Sequence, residues 1–148
     1  MQILSEQESA DIRELFLLTF IDTEGAYYNS QILNLKHCSD GDCYCGYLWD
    51  CLKTRERISF EFAVSFLEAK TKEIYALWDI HSCDFIKIPN YWHFSQNRVL
   101  TLHPDRLKTV LLQLPEDCYF FDESFSWAVS LTHEEIKRQK RICYLTER

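Results

Sequence analysis

The last third of the chain contains three segments with the alternating apolar and polar pattern of β-strands. Residues 118–124 read CYFFDES, residues 126–134 read SWAVSLTHE and residues 142–147 read ICYLTE. All three are rich in aromatic and β-branched residues, which favour a pleated, half-buried surface. The last two are separated by a short stretch that suits a hairpin connection. A chain that ends in successive, locally connected strands is strongly constrained to form an antiparallel sheet.

Helical patterns lie in the first and middle parts of the chain. Ser5 and Glu8 have the S-x-x-E form of a capping box, so a first helix is predicted over residues 6–19. Ser59 can cap a second helix, and Pro104 suits the first position of a third. The apolar residues predicted to pack in the first two helices follow at helical spacing: Ile12, Leu15, Phe16 and Phe20, then Phe62, Ala63, Phe66 and Leu67.

Further strands are predicted over residues 28–36 and 74–80, and a helical turn carrying Trp49 over residues 47–52. Helices early and in the middle, followed by hairpin-linked strands, favour the α+β class. We therefore predict a single domain over residues 1–148. It should contain about three helices packed on one face of a largely antiparallel sheet that ends in a three-strand meander.

The charge of the chain narrows the choice of partner. The 148 residues have a formal net charge of −7 and an isoelectric point near 5.2. An acidic surface repels phosphate, which disfavours nucleic acid as a partner and suits a basic protein. The start of the chain lacks the pattern of a signal peptide, and no apolar run reaches the length of a membrane span. We therefore expect a cytoplasmic protein without a membrane partner.

Residues 37–51 read HCSDGDCYCGYLWDC and contain four of the seven cysteines. An odd number of thiols in a reducing cytoplasm argues against a complete disulfide framework. The spacing C-x4-C-x-C-x5-C also departs from the close pairs of most structural zinc sites. We predict no bound metal or other cofactor. The alternative is a zinc-binding interaction domain that uses Cys38, Cys43, Cys45 and Cys51, with His37 as a further candidate.

Few residues suggest catalysis. Asp79 and His81 would project from the same face of a strand, and His133 is predicted near a strand end, where loops often contain functional groups. No nucleophile elbow, zinc-protease helix or phosphate-binding loop is present in the sequence, and the chain has only three glycines. We predict that the protein is not an enzyme. A small hydrolase that uses these three residues is the alternative.

Aromatic residues surrounded by acidic residues favour a protein-binding surface. Such combinations occur in the cysteine-rich stretch, in the stretch YWHF at residues 91–94 and around residues 122–123. The predicted partner-binding residues are Asp40, Asp42, Trp49, Trp92, Asp122 and Glu123.

The C-terminal segment also has the pattern F-D-x-S-x-x-W followed by T-H-E. The matching residues are Phe121, Asp122, Ser124, Trp127, Thr132, His133 and Glu134. This pattern resembles the ending of many small, single-domain bacterial proteins, some of which are similar to immunity proteins encoded beside polymorphic or contact-dependent toxins. The resemblance implies a cytoplasmic protein that binds and blocks a toxin, with no chemistry of its own. Together with the acidic charge, it predicts an immunity protein for a basic, nuclease-type toxin domain. From the residues alone, this pattern can equally be a signature of the fold.

Overall fold

The computed structural model of the protein describes residues 1–33, 46–79, 97–136 and 140–148. Seven strands form one sheet, and three α-helices and several shorter helical turns pack with it. The strands are β1 (Gln2–Ile3), β2 (Glu56–Ser59), β3 (Ile74–Trp78), β4 (Leu100–Leu102), β5 (Cys118–Phe121), β6 (Trp127–Ile136) and β7 (Lys140–Glu147). The helices are α1 (Glu6–Phe20), α2 (Phe60–Glu68) and α3 (Leu107–Leu111), with a π-helical turn at Tyr28–Ile32 and 3₁₀ turns at Leu48–Cys51 and Pro104–Arg106.

The sheet order is β1-β4-β3-β5-β6-β7-β2, and every neighbouring pair is antiparallel. Strands β5, β6 and β7 are adjacent and consecutive, so they form the C-terminal meander that the sequence predicted. The α+β class and the antiparallel sheet are likewise confirmed.

The predicted helix starts are confirmed by their caps. In α1 the Ser5 hydroxyl accepts a hydrogen bond from the backbone N–H of Glu8, and the Glu8 carboxylate accepts one from the backbone N–H of Ser5, a complete capping box. In α2 the Ser59 hydroxyl accepts from a backbone N–H of the first turn. Pro104 opens the third helical segment, which begins as a 3₁₀ turn and continues as α3.

The helices lie on both faces of the sheet, which differs from the single-face arrangement that we expected. Side chains of a strand alternate between two faces, and both faces of β3 and β5 are buried. Ala76 and Phe120 face the cluster that contains Ala63 of α2, whereas Leu77 and Tyr119 face the cluster that contains Phe16 of α1. The near-continuous apolar run of β5 is therefore explained by burial on both sides.

Three predicted elements differ in detail. The strand predicted from residue 28 is a π-helical turn at Tyr28–Ile32, where only Tyr28 is buried, because partial alternation does not distinguish a short strand from a turn. The strand β6 does not end at His133 but continues to Ile136. Strand β3 confirms most of the prediction over 74–80, although residue 80 lies outside the described residues. Within the ranges described, no helix combines the length and the apolar character required to span a membrane.

Candidate functional site

A buried carboxylate lies directly after β3, on the α1 side of the sheet. Asp79 is 6% exposed. The hydroxyl of Tyr119 on β5 donates to one of its carboxylate oxygens at 2.7 Å, and the backbone N–H of Leu48 donates to the other at 3.3 Å. The backbone N–H of Trp49 donates to the Tyr119 hydroxyl oxygen at 3.1 Å. Asp79 and Tyr119 therefore bind the 3₁₀ turn at Leu48–Cys51 to the sheet.

Burial dominates the electrostatics of this pair. It raises the pKa of Asp79 to about 7, against the hydrogen bonds from Tyr119 and Leu48 and the positive charge of Arg13, which lower it. The negative charge of Asp117 raises the pKa of Asp79 further. The pKa of Tyr119 is also raised well above its ordinary value, by burial and then by the neighbouring Asp79.

A second carboxylate holds His133 beside two aromatic rings. The imidazole Nδ1 lies 3.0 Å from a carboxylate oxygen of Asp117, and the backbone N–H of His133 donates to the same oxygen at 2.8 Å. The ring of Tyr47 stacks on Trp49 with centroids 4.0 Å apart, and the His133 ring lies 5.1 Å from Tyr47 and 5.5 Å from Trp49. The side chain of His133 is 42% exposed, whereas that of Asp117 is 11% exposed.

This arrangement has limited chemical capacity. A carboxylate that orients one ring nitrogen of a half-exposed histidine is compatible with acid–base work at the other nitrogen. Asp79 is only 6% exposed, and each of its oxygens accepts a hydrogen bond from a group that holds the fold together, which favours a structural role for this carboxylate. His81, the third residue of the predicted catalytic set, lies outside the described residues. Within the described part of the chain, no group of three or more His, Cys, Asp or Glu side chains could hold a metal ion.

The cysteines that the structure describes are structural. Cys51, Cys118 and Cys143 are free and buried. Burial raises the pKa of Cys51 and of Cys143 to about 11, and that of Cys118 well above its usual range. These thiols stay protonated near neutral pH, so they are poor nucleophiles and poor metal ligands. The remaining candidates for a zinc site, which are His37, Cys38, Cys43 and Cys45, lie outside the described residues.

The F-D-x-S-x-x-W pattern forms the turn between β5 and β6. The Asp122 carboxylate accepts hydrogen bonds from the backbone N–H of Ser124 at 2.9 Å and from the indole Nε1 of Trp127 at 2.9 Å. Partial burial alone would raise the pKa of Asp122, but these hydrogen bonds and the charge of Lys70 lower it below its usual value. Phe125 has a φ of 47°, so the turn contains one left-handed residue. Asp122 and Ser124 therefore stabilise this turn.

The T-H-E pattern coincides with an irregularity in the pairing of β6 and β7. The register shifts between Leu131 and Glu135. There the Thr132 hydroxyl donates to the Ile142 carbonyl at 2.8 Å and accepts from the backbone N–H of Glu134 at 3.2 Å. Arg141 donates to the Thr132 carbonyl at 2.5 Å. A bulge of this kind re-aims side chains, and here it accompanies the His133 contact with Asp117.

The structure separates the predicted partner-binding residues. Trp49 is 1% exposed and stacks with Tyr47, so it belongs to the core and not to the surface. The Asp122 carboxylate accepts hydrogen bonds from Ser124 and Trp127 within its own turn. Glu123 is exposed and pairs with Lys72 at 2.6 Å. Asp40, Asp42 and Trp92 lie outside the described residues.

Sequence reasoning missed the outer surface of α1. Leu15, predicted to pack in the core, is 48% exposed, and Leu18 is 59% exposed. Asp11 and Glu14 are exposed on the same helix. A helical projection with 100° per residue reveals this face from sequence, because Leu15 and Leu18 lie opposite Ser9 and Phe20. At the C-terminal end of α1, a groove of about 490 Å³ opens beside Leu18. Its lining residues are Leu18, Thr19, Phe20, Lys53, Thr54, Thr146, Glu147 and Arg148.

No protein-family model, curated protein or solved structure matches this chain.

Proposed function

We propose that this protein is a cytoplasmic immunity protein that binds a basic, nuclease-type toxin domain and thereby blocks it. The observation that carries the proposal is the net charge of −7 on a chain of 148 residues. Charge of one sign on a small protein speeds encounter with a partner of the opposite sign and orients it before contact. The resemblance of the C-terminal pattern to proteins encoded beside toxins supports the same reading.

The use of polar side chains in the described residues also favours binding over chemistry. Asp79, Tyr119 and Asp122 complete hydrogen bonds that hold a turn or a loop in place. These three residues therefore have a structural role that requires no substrate. In a protein that acts by binding, affinity comes from the surface, and the interior needs only to hold that surface rigid.

The test is direct binding to a purified basic toxin domain encoded beside this gene. We expect a one-to-one complex in size-exclusion chromatography with light scattering, and loss of the nuclease activity of the toxin domain at equimolar protein. The association rate should fall as salt is raised from 50 to 500 mM, because screening shortens the reach of charge attraction. A toxin domain that remains separate and active in the presence of excess protein would contradict the proposal.

A second candidate, a small hydrolase, is favoured by one observation, the half-exposed His133 held by Asp117. Screening His133→Ala beside the wild type on ester, phosphodiester and peptide substrates tests it. A hydrolytic activity that the substitution abolishes would support this candidate, whereas equal rates for the two proteins would remove it.

A further inference from the structure

We infer that the outer face of α1, formed by Asp11, Glu14, Leu15 and Leu18, is the surface that contacts the basic toxin domain. The inference rests on the proposed function and names the binding surface that it requires.

The geometry of the helix isolates this face. Successive residues of an α-helix are rotated by 100° about its axis, so Asp11, Glu14, Leu15 and Leu18 fall within an arc of about 100°. The buried positions Ser9, Phe16 and Phe20 occupy the opposite side and pack on the sheet. The two leucines therefore point away from the core and cannot contribute to it.

The charges of α1 have one sign on the outside. Arg13 is the only basic residue of the helix, and it is directed inward, where its guanidinium donates to the carbonyl of Trp78 at 3.2 Å. Asp11 accepts a hydrogen bond from Gln7 at 2.7 Å, which leaves its charge in place. Among the described residues, neither Asp11 nor Glu14 forms an ion pair. Asp11 and Glu14 thus present negative charge to a basic partner, while Lys53 lies at the C-terminal end of the face and donates to the Leu18 carbonyl at 2.5 Å.

The two leucines of the face supply apolar contact area, which gives affinity that charge alone does not. Protein interfaces combine a desolvated apolar centre with a polar rim, and the centre contributes most of the affinity. In helical projection Leu18 lies between Glu14 and Asp11, and Leu15 lies next to Asp11. Leu18 also lines the groove of about 490 Å³, but the other lining residues are mostly polar or charged, so the apolar centre of the face consists of the two leucines.

The competing acidic surface, at the turn between β5 and β6, is less suited. Asp122 already accepts hydrogen bonds from Ser124 and Trp127, and Glu123 already pairs with Lys72. A basic partner would have to compete with Lys72 for Glu123 and would meet a half-buried Asp122, whereas Asp11 and Glu14 are exposed. This difference favours α1.

The experiment compares matched surface variants of the full chain for binding to the purified basic toxin domain by biolayer interferometry. Leu15→Ser with Leu18→Ser removes the apolar centre, and Asp11→Asn with Glu14→Gln removes the charge without changing shape. The controls are Leu112→Ser, an 81% exposed leucine outside this face, and Glu123→Gln at the competing turn. Circular dichroism and thermal unfolding confirm that each variant is folded.

We expect the double leucine variant to raise the dissociation constant about tenfold or more, mainly through faster dissociation. The double amide variant should slow association several-fold at 50 mM salt and much less at 500 mM. Both controls should bind as the wild type does. If Glu123→Gln weakens binding and the α1 variants do not, the inference is overturned and the proposed function stands. If the wild type itself fails to bind, the proposed function is wrong, and the assignment of the α1 face to a toxin domain is wrong with it.

Discussion

The stability of this protein should fall between pH 4 and pH 7 because of Asp79. Its carboxyl group has a folded-state pKa of about 7, raised by burial, against an ordinary value of 3.8. The folded protein therefore holds a proton at Asp79 over a pH range in which the unfolded chain has released it. Since the folded pKa is the higher one, the contribution to stability is complete below about pH 4 and is lost as the pH rises through 7.

The magnitude follows from the difference between the two pKa values. Each pH unit of difference corresponds to about 1.4 kcal/mol, so a difference of about three units corresponds to about 4 kcal/mol. Solvent screening takes little away, because Asp79 is 6% exposed. A loss of this size is a large part of the 5–15 kcal/mol that is typical of whole domains.

Asp79→Asn provides the assay, because asparagine has the shape of the protonated acid and cannot ionise. Its carbonyl oxygen can accept from the backbone N–H of Leu48, and its amide can donate to the Tyr119 hydroxyl oxygen. Urea unfolding of variant and wild type is measured at pH 5, 6, 7 and 8. The free energy of unfolding of the variant minus that of the wild type should grow by about 2–3 kcal/mol between pH 5 and pH 8, because the wild type continues to lose the contribution of Asp79 over this range. Glu123→Gln, which neutralises an exposed carboxylate, is the control and should leave the pH profile of the wild type unchanged.

Parallel stability curves for Asp79→Asn and the wild type between pH 5 and pH 8 would refute this reasoning. They would mean that Asp79 titrates near its ordinary pKa in the folded protein, and hence that its site is better solvated than the structure indicates. A carbon-13 NMR titration of the Asp79 carboxyl would then report a midpoint near pH 4 instead of pH 7.

Three further predictions concern the turn, the bulge and the thiols. Asp122→Ala should destabilise the fold by about 2 kcal/mol in urea unfolding and change the fluorescence of Trp127, because the turn loses its acceptor for the backbone and indole N–H groups. Thr132→Val, which keeps the shape of the side chain, should lower the free energy of unfolding by about 1–3 kcal/mol, because the Ile142 carbonyl and the backbone N–H of Glu134 each lose a partner. An unchanged midpoint of urea unfolding would show that water replaces the hydroxyl. Iodoacetamide at pH 7.4, followed by peptide mass mapping, should leave the buried Cys118 and Cys143 unmodified in native protein and modify both in guanidinium chloride; native labelling would show that these thiols are accessible.

Local signals in the sequence predicted the local structure well. The capping box at Ser5 and Glu8 and the cap at Ser59 each involve residues within three positions of one another, so the chemistry is complete within a few letters of sequence. The strands of the meander are also local, since each pairs with the next along the chain. The alternation of apolar and polar residues was sufficient to predict the meander because the connections between its strands are short.

The candidate site depends on contacts between distant residues, which sequence patterns do not contain. Tyr119 reaches Asp79 across 40 positions, because β5 pairs with β3 in the sheet. The Asp79–His81 pairing suggested by spacing follows from one strand alone, whereas the observed partner of Asp79 comes from the neighbouring strand. For the same reason Trp49 looked like a surface anchor in a polar stretch, yet the sheet and α1 enclose it.

The C-terminal pattern serves the fold, whereas the binding surface that we propose lies on α1. Asp122, Ser124 and Trp127 close one end of the β5–β6 hairpin, and Thr132 stabilises a bulge toward the end of β6. Each of these residue types is required by a hydrogen bond within the chain, so the pattern would be kept by proteins that share the hairpin but bind different partners. The surface that selects a partner is then free to vary, and in this chain α1 combines exposed carboxylates with two leucines that the core does not use. If α1 is the binding surface, as we propose, a change of partner should require substitutions at Asp11, Glu14, Leu15 and Leu18 while the C-terminal pattern stays the same.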